Sequence, residues 1–275
     1  MSRILFALLA AASMVLMPEA VHASVKDPCR SPSHPGVAHR LGKGIATALS
    51  GRTGVTSVAV YDRREDLVCG VAADVSYDSA SVVKATILGA LLRQAQDEGR
   101  TPTSSEASLA HAMITRSDNA AASALWESVG RTRLDRFLGR AGMKHTRLGP
   151  GRFWGLTQIT AWDEIRLLQA LTLPGDVLTR TSQTYALKLM RGVVPSQRWG
   201  TPAGAPSGVT THVKNGWLKR QDLYWRVHSI GAFTDPTDTY LIVVLTRDTS
   251  SMGYGVATIE GISRAVHHVL RPRTF

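Results

Sequence analysis

Strand-like alternation is confined to the two ends of this 275-residue chain. "VTSVAVYD", Val55 to Asp62, and a shorter run at about Leu67 to Ala72 come first; Thr211 to Lys219, Leu223 to Phe233 and Thr239 to Arg247 come last. Neither group can bury a sheet face alone, whereas together they make one five-stranded antiparallel sheet of ordinary size. Everything from Ser81 to Val194 reads instead as helices: Ser81 to Gln96, Ala107 to Thr115, Asn119 to Val129, Thr132 to Ala141, Ala161 to Leu171 and Thr181 to Val194. A capping box, Thr160-Ala-Trp-Asp163, is expected to start the fifth of these. The expected fold is therefore α+β. The sheet is flanked by N- and C-terminal helices, Val37 to Leu49 and Val256 to Leu270, and carries an all-helical inserted subdomain. We expect a single domain over 24–275, with a sheet subdomain of 37–76 plus 206–275 and a helical subdomain of 77–205. A ligand site is expected at the seam, because sites favour such interfaces.

Residues 1–23 read as a secretory signal: Arg3 precedes an apolar run, Ile4 to Met17, and "VHA" ends at Ala23 as a small-residue cleavage site. A secreted or cell-envelope protein is expected, without a stable membrane anchor and acting as a monomer. Cys29 and Cys69 are the whole cysteine complement. In an exported chain the pair favours a disulfide, with two unpaired thiols as the alternative. Two cysteines cannot make a structural zinc site, and the nine histidines lack HExxH-type spacing, so no metal or other cofactor is expected. Without the leader the chain keeps 31 Lys+Arg against 20 Asp+Glu. That excess is scattered rather than gathered in a basic stripe, so nucleic acid is not an expected partner; attraction to anionic wall polymers is the most it implies.

In "YDSASVVKATILGAL", Tyr77 to Leu91, two serines precede a helix that contains one lysine. Positions i and i+3 share a helix face, so Ser81 can touch Lys84, while Ser79 sits five residues away. A serine in the first turn lies near the positive end of the helix dipole, where a developing oxyanion is favoured. A neutral lysine beside it can take the hydroxyl proton. An ordinary lysine titrates near 10.4, so a base working at pH 7 needs a drop of about 3 units, roughly 4 kcal/mol. Val82, Val83 and Ile87 suggest the burial that would supply it.

Two later stretches share that chemistry. "SDN", Ser117 to Asn119, lies at a break between helices, where its bland role is an N-cap. "VKNGW", Val213 to Trp217, puts a cation and a close-approaching glycine backbone on a strand, or simply an exposed edge with a bulge. Taken in this order, the three resemble the Ser-x-x-Lys, Ser-Asp-Asn and Lys-Thr-Gly set of the class A β-lactamases and penicillin-binding proteins. The resemblance implies that Ser81 is the acylated nucleophile, Lys84 its base, and Ser117 the proton relay to the leaving nitrogen. It further implies that Asn119 holds the substrate amide and Lys214 attracts its carboxylate, with Asn215, Gly216 and Trp217 lining the substrate strand. The backbone N–H groups of Ser81 and Trp217 would form the oxyanion hole. The implied partner is a β-lactam or a peptidoglycan-like peptide.

Two positions depart from that pattern. Asn215 replaces a hydroxyl residue, so an amide is expected to face the substrate carboxylate. The loop Gly142 to Thr157, "GMKHTRLGPGRFWGLT", contains no carboxylate, although class A β-lactamases carry there the glutamate that activates the deacylating water. Asp163 is expected to be a helix cap, Glu164 falls in the same helix, and His145 or Gln158 is left to place a water. Arg226 and the Gln197 to Gly200 segment are expected near the cleft, with Trp199 in aromatic packing. The expected activity is therefore an acyl-enzyme-forming serine hydrolase. A slowly deacylating D,D-peptidase or penicillin sensor, and a non-catalytic wall-binding protein, are the alternatives. A Ser-His-Asp hydrolase is disfavoured, since no Gly-x-Ser-x-Gly elbow occurs.

Overall fold

The two terminal groups of strands do join into one sheet. In the computed structural model, which describes residues 27–220, 224–236 and 238–271, β1 (Cys29–Arg30), β2 (Val55–Asp62) and β3 (Leu67–Val71) pair with the late strands β6 (Thr210–Lys219), β7 (Trp225–Thr234) and β8 (Thr239–Thr249). The order is β1-β3-β2-β8-β7-β6 and every pairing is antiparallel. The sheet thus has six strands rather than the five expected. The additional one, β1, is two residues long and too short for any alternation to show. It lies opposite β3 with Cys29 facing Cys69, and those two cysteines are bonded. A bridge across 40 residues of chain stabilises by about 4 kcal/mol in the chain-entropy account. A second ladder, β4 (Tyr77–Asp78) with β5 (Gln158–Ile159), lies outside that sheet. The expected leader, and Leu223 at the expected start of β7, lie outside the described residues.

Period-two alternation sends successive side chains of β8 to opposite faces. Ile242 and Val244 meet Leu41 and Ile45 of α1 (Pro35–Leu49) and Ile259, Ile262 and Val266 of α8 (Met252–Leu270). Leu241, Val243 and Leu245 face the other way, into the cluster built by the helical block. Both faces are covered, which is why β8 reads as a continuous apolar run.

The helical block comprises α2 (Val83–Asp97), α3 (Ser104–Thr115), α4 (Asn119–Val129), α5 (Arg131–Ala141), α6 (Ala161–Thr172) and α7 (Arg180–Arg191). Residues Val83 to Leu92 of α2 are all buried, so this helix is the axis around which the others pack. A reciprocal capping box starts α3, where the Thr103 side chain accepts from Glu106 N and the Glu106 carboxylate from Thr103 N. At α6 the expected box is only half formed. Thr160 accepts from Asp163 N, but the Asp163 carboxylate accepts instead from His145 N and Thr146 Oγ1, tying the preceding loop to the helix.

Candidate active site

The chain enters α2 through a strained turn. Ala80 is left-handed at φ 47°, a conformation that costs a non-glycine residue on the order of 1–2 kcal/mol. Ala80–Val82 then form a 3-10 turn running directly into α2. Ser79 is excluded as a nucleophile by burial: it has no exposed surface, and its hydroxyl is directed at the carbonyls of Ala80, Trp154 and Gly155. Ser81 remains partly exposed, with its Oγ 3.0 Å from Lys84 Nζ, as i,i+3 spacing requires.

Lys84 is fully buried, yet its amine is surrounded by oxygen. Nζ donates to Ser117 O at 2.6 Å and Asn119 Oδ1 at 2.7 Å, and lies 3.1 Å from Ser117 Oγ. A carbonyl and an amide oxygen can only accept, so they claim two N–H bonds. The third valence of the nitrogen, an N–H when protonated and a lone pair when neutral, is shared between the hydroxyls of Ser81 and Ser117. That is the geometry of a proton shuttle. Burial pushes the Lys84 pKa down to about 8, against the opposing charge of Asp118, which is otherwise engaged as the α4 cap through Ala121 N.

Ser117 reaches Lys84 with both its carbonyl and its hydroxyl because it adopts φ 57°, a second left-handed non-glycine position. Its Oγ also lies 3.0 Å from Lys214 Nζ. Lys214 is 1 % exposed and spends another donor on Asn215 O. Burial, and then the charge of Lys84, hold its pKa well below the usual lysine range. Two amines that share one half-buried hydroxyl resist being charged together, so the pair titrates as a unit.

Strand β6 ends the strand order of the sheet and passes directly over the Ser81 turn. A Cβ on Gly216 would sit 2.8 Å from the backbone nitrogens of Ser81 and Val82 and 3.0 Å from Ser79 O, so only glycine permits this approach. Asn215 does not behave as expected. Both hydrogens of its amide are committed to the carbonyls of Gln197 and Trp199, at 2.9 and 2.8 Å, and Oδ1 is left buried without a partner. Side chains alternate along β6, which sends Lys214 toward Ser117 and Asn215 to the opposite face. The amide braces the 195–199 segment instead of offering an N–H to a carboxylate. Trp217 packs on Trp199 with ring centroids 5.9 Å apart, the aromatic role expected for Trp199. Arg226 pairs with Asp248 at 3.2 Å and Asp78 at 3.9 Å, which accounts for its charge away from Lys214.

The loop without a carboxylate presents a tryptophan. The Trp154 ring lies over Lys84 Nζ, 4.8 Å from its centroid, a cation–π distance. His145 is exposed, and Gln158 Nε2 donates to Asp78 Oδ1 and Leu156 O. Neither expected water-placing residue is among the groups around Lys84. Glu164 is fully buried, with both oxygens unpartnered, and its pKa is pushed up to about 8 by burial and the neighbouring Asp163. Asp118, not Glu164, supplies the charge felt by Lys84. Reading the sequence for carboxylates passed over Trp154, although the aromatic pair Phe153-Trp154 was the visible signal in that loop. Among the described residues there is no group of three His, Cys, Asp or Glu arranged to hold a metal, and no helix long and apolar enough to cross a membrane.

Residues 101–270 match the model of a family described as the beta-lactamase enzyme family, a segment that starts after Lys84 and includes Ser117, Asn119, Lys214 and Gly216. No curated protein sequence matches the chain. Among solved structures it is similar to a beta-lactamase from Sphaerobacter thermophilus, at 21% identity over 84% of this chain and 98% of that one, with a TM-score of 0.73. It is also similar to a representative of class A beta-lactamase from Bacteroides cellulosilyticus, at 17% identity over 89% and 100%, with a TM-score of 0.74. A mutant of PBP-A, solved as an acyl-enzyme complex with penicillin G, superposes with a TM-score of 0.72 at 19% identity over 85% and 97%. At these identities the likeness is one of fold.

Proposed function

The chain belongs to the beta-lactamase enzyme family, and from that premise we propose that it is an exported serine hydrolase that forms an acyl-enzyme at Ser81 with a β-lactam or a related amide. The observation that carries this is the convergence on Lys84 Nζ of Ser81 Oγ, Ser117 Oγ, Ser117 O and Asn119 Oδ1, all within 3.1 Å. In this reading neutral Lys84 takes the proton of Ser81 as Oγ attacks the amide carbon. The developing oxyanion is met by backbone N–H groups at the Ser81 turn and the β6 edge. Ser117, held between two amines, passes a proton to the departing nitrogen. Asn119 has its oxygen fixed on Lys84 and so turns its NH₂ to the substrate amide. Protonated Lys214, two of whose three donors are held by Ser117 and Asn215, acts on a substrate carboxylate through its charge and its third N–H.

A specific observation favours the slower member of this pair of activities, a penicillin-binding or D,D-peptidase behaviour. No carboxylate faces Lys84 from the 142–157 loop, and an aromatic ring takes that flank. A fluorescent penicillin is expected to label the wild type covalently and to leave Ser81→Ala unlabelled. Label retained on Ser81→Ala refutes the assignment. Measuring the lifetime of the adduct then separates the two activities, persistence marking the penicillin-binding type and rapid loss the hydrolytic one.

A further inference from the structure

We infer that His228 is a positioning residue for acylation, which ties the substrate strand to the segment carrying Ser81 and so sets the spacing of the oxyanion-hole donors. The inference rests on the acyl-enzyme reading above. In that reading one donor is Ser81 N, on the turn before α2, and the other is Trp217 N, on β6. The two are distant in the chain, so their spacing depends on how the sheet docks onto the turn.

Two neighbouring positions make that docking. Gly216 of β6 and His228 of β7 are direct cross-strand partners, so they share one face of the sheet. Gly216 lets the backbone of Ser81 and Val82 approach. His228, fully buried beside it, grips the same segment three residues before Ser81, with its Nε2 2.8 Å from Asp78 O. A carbonyl only accepts, so Nε2 carries the ring proton. Nδ1 lies 3.2 Å from Thr246 N, a group that only donates, so this nitrogen offers its lone pair. Both partners demand the same neutral tautomer, and burial, which pushes the His228 pKa down to about 4, keeps the ring neutral. The Tyr77 ring meets the imidazole edge to face, with centroids 5.7 Å apart, and restricts its rotation.

The segment needs such a hold. Ala80, between Asp78 and Ser81, is left-handed at φ 47°, and strain of this kind persists only where the surroundings over-determine it. On the downstream side the chain is fixed by α2. On the upstream side Ser79 N donates to Thr157 O at 2.8 Å and Gln158 Nε2 to the Asp78 carboxylate at 2.7 Å, which anchors the segment to the loop but not to the sheet. From the β6–β7 side, Arg220 and Arg226 approach the same carboxylate at 3.3 and 3.9 Å. Those arginines reach a side chain, whereas His228 holds the main chain that leads into the nucleophile.

The test compares three substitutions. His228→Gln places an amide nitrogen where Nε2 stood, His228→Met has similar length and no donor, and His228→Asn can serve Thr246 N but cannot reach Asp78 O. Stopped-flow labelling over a range of fluorescent-penicillin concentrations separates initial binding from the acylation rate constant. Phenylboronic acid, which adds to a serine hydroxyl as a tetrahedral anion, reads the oxyanion hole independently. His228→Met and His228→Asn are expected to lose at least about tenfold in the acylation rate constant, short of the roughly hundredfold that a misplacement of about 1 Å can cost. Phenylboronic acid should weaken in parallel, while initial binding changes by less than about threefold. His228→Gln should recover most of the lost rate. If His228→Met and His228→Asn do not fold, the wild type labelled with ¹⁵N-histidine must show an Nε2–H signal, assigned by its loss in His228→Gln, that shifts when phenylboronic acid binds. Equal losses in His228→Gln and His228→Met, rates like the wild type in all three, a proton on Nδ1 instead of Nε2, or an Nε2–H signal that does not move overturns this inference alone. A wild type that takes up no penicillin overturns the acyl-enzyme reading and this inference with it.

Discussion

Titrating Lys84 is the sharpest test of the site, because the geometry commits it to one pH window. Burial brings the amine from 10.5 down to about 8. Each pKa unit corresponds to about 1.4 kcal/mol, so the protein weakens the ammonium by about 3 kcal/mol relative to a solvated lysine. At pH 7 about one lysine in ten is then the free amine, against about one in three thousand without the shift, a gain of roughly 300-fold in competent base. The neutral form is the active one, so the acylation rate must rise with pH. It should climb about tenfold between pH 7 and pH 9 and level off above. Pre-steady-state labelling with a fluorescent penicillin across pH 6–10 reads this directly. The Asp118→Asn variant supplies an internal control: asparagine caps α4 about as well as aspartate, but the charge that raises the Lys84 pKa is gone, so the midpoint must move to lower pH. A profile that is flat from pH 6 to 9, one that still rises without levelling at pH 10, or a midpoint moved to higher pH in Asp118→Asn would each refute Lys84 as the base.

Gly216→Ala should abolish penicillin labelling and lower stability by about 1–3 kcal/mol, since its Cβ would meet backbone atoms that have no rotamer to yield; chemical denaturation beside the labelling assay checks both, and normal labelling would remove the close approach of β6 from the mechanism. Glu164 has a folded pKa of about 8, raised from 4.5, so the stability it contributes is fully present below pH 4.5 and is lost as pH rises through 8. Glu164→Gln should therefore unfold like the wild type at pH 4.5 and be more stable by several kcal/mol at pH 8, as urea titrations at the two values will show; an equal difference at both rules out ionisation of Glu164 as the cause.

How much of this was legible beforehand depended on the range of the interaction. The i,i+3 relation of Ser81 to Lys84 is set by helix geometry, and the contact formed as the spacing required. The strand groups and most helix limits followed from periodicity. The two-residue strand β1 did not, because its existence depends on Cys29 finding Cys69 across the fold. Asp163 looked like a reciprocal cap from its spacing alone. It turned to the backbone of His145 because folding brought a competing donor to the same carboxylate.

By itself, then, the sequence determined the α+β architecture with its helical insertion and the spacing that lets Ser81, and not Ser79, meet Lys84. These rest on local periodicity and on residue chemistry, both properties of short stretches. Tertiary structure alone decided what each group meets. It placed Ser117 and Lys214, 97 residues apart, on one hydrogen bond. It buried Lys84 deeply enough to lower its pKa, turned Asn215 to the face opposite Lys214, and laid the Trp154 ring over the Lys84 nitrogen. Burial and orientation are set by which distant segments pack together, and packing is a property of the whole chain.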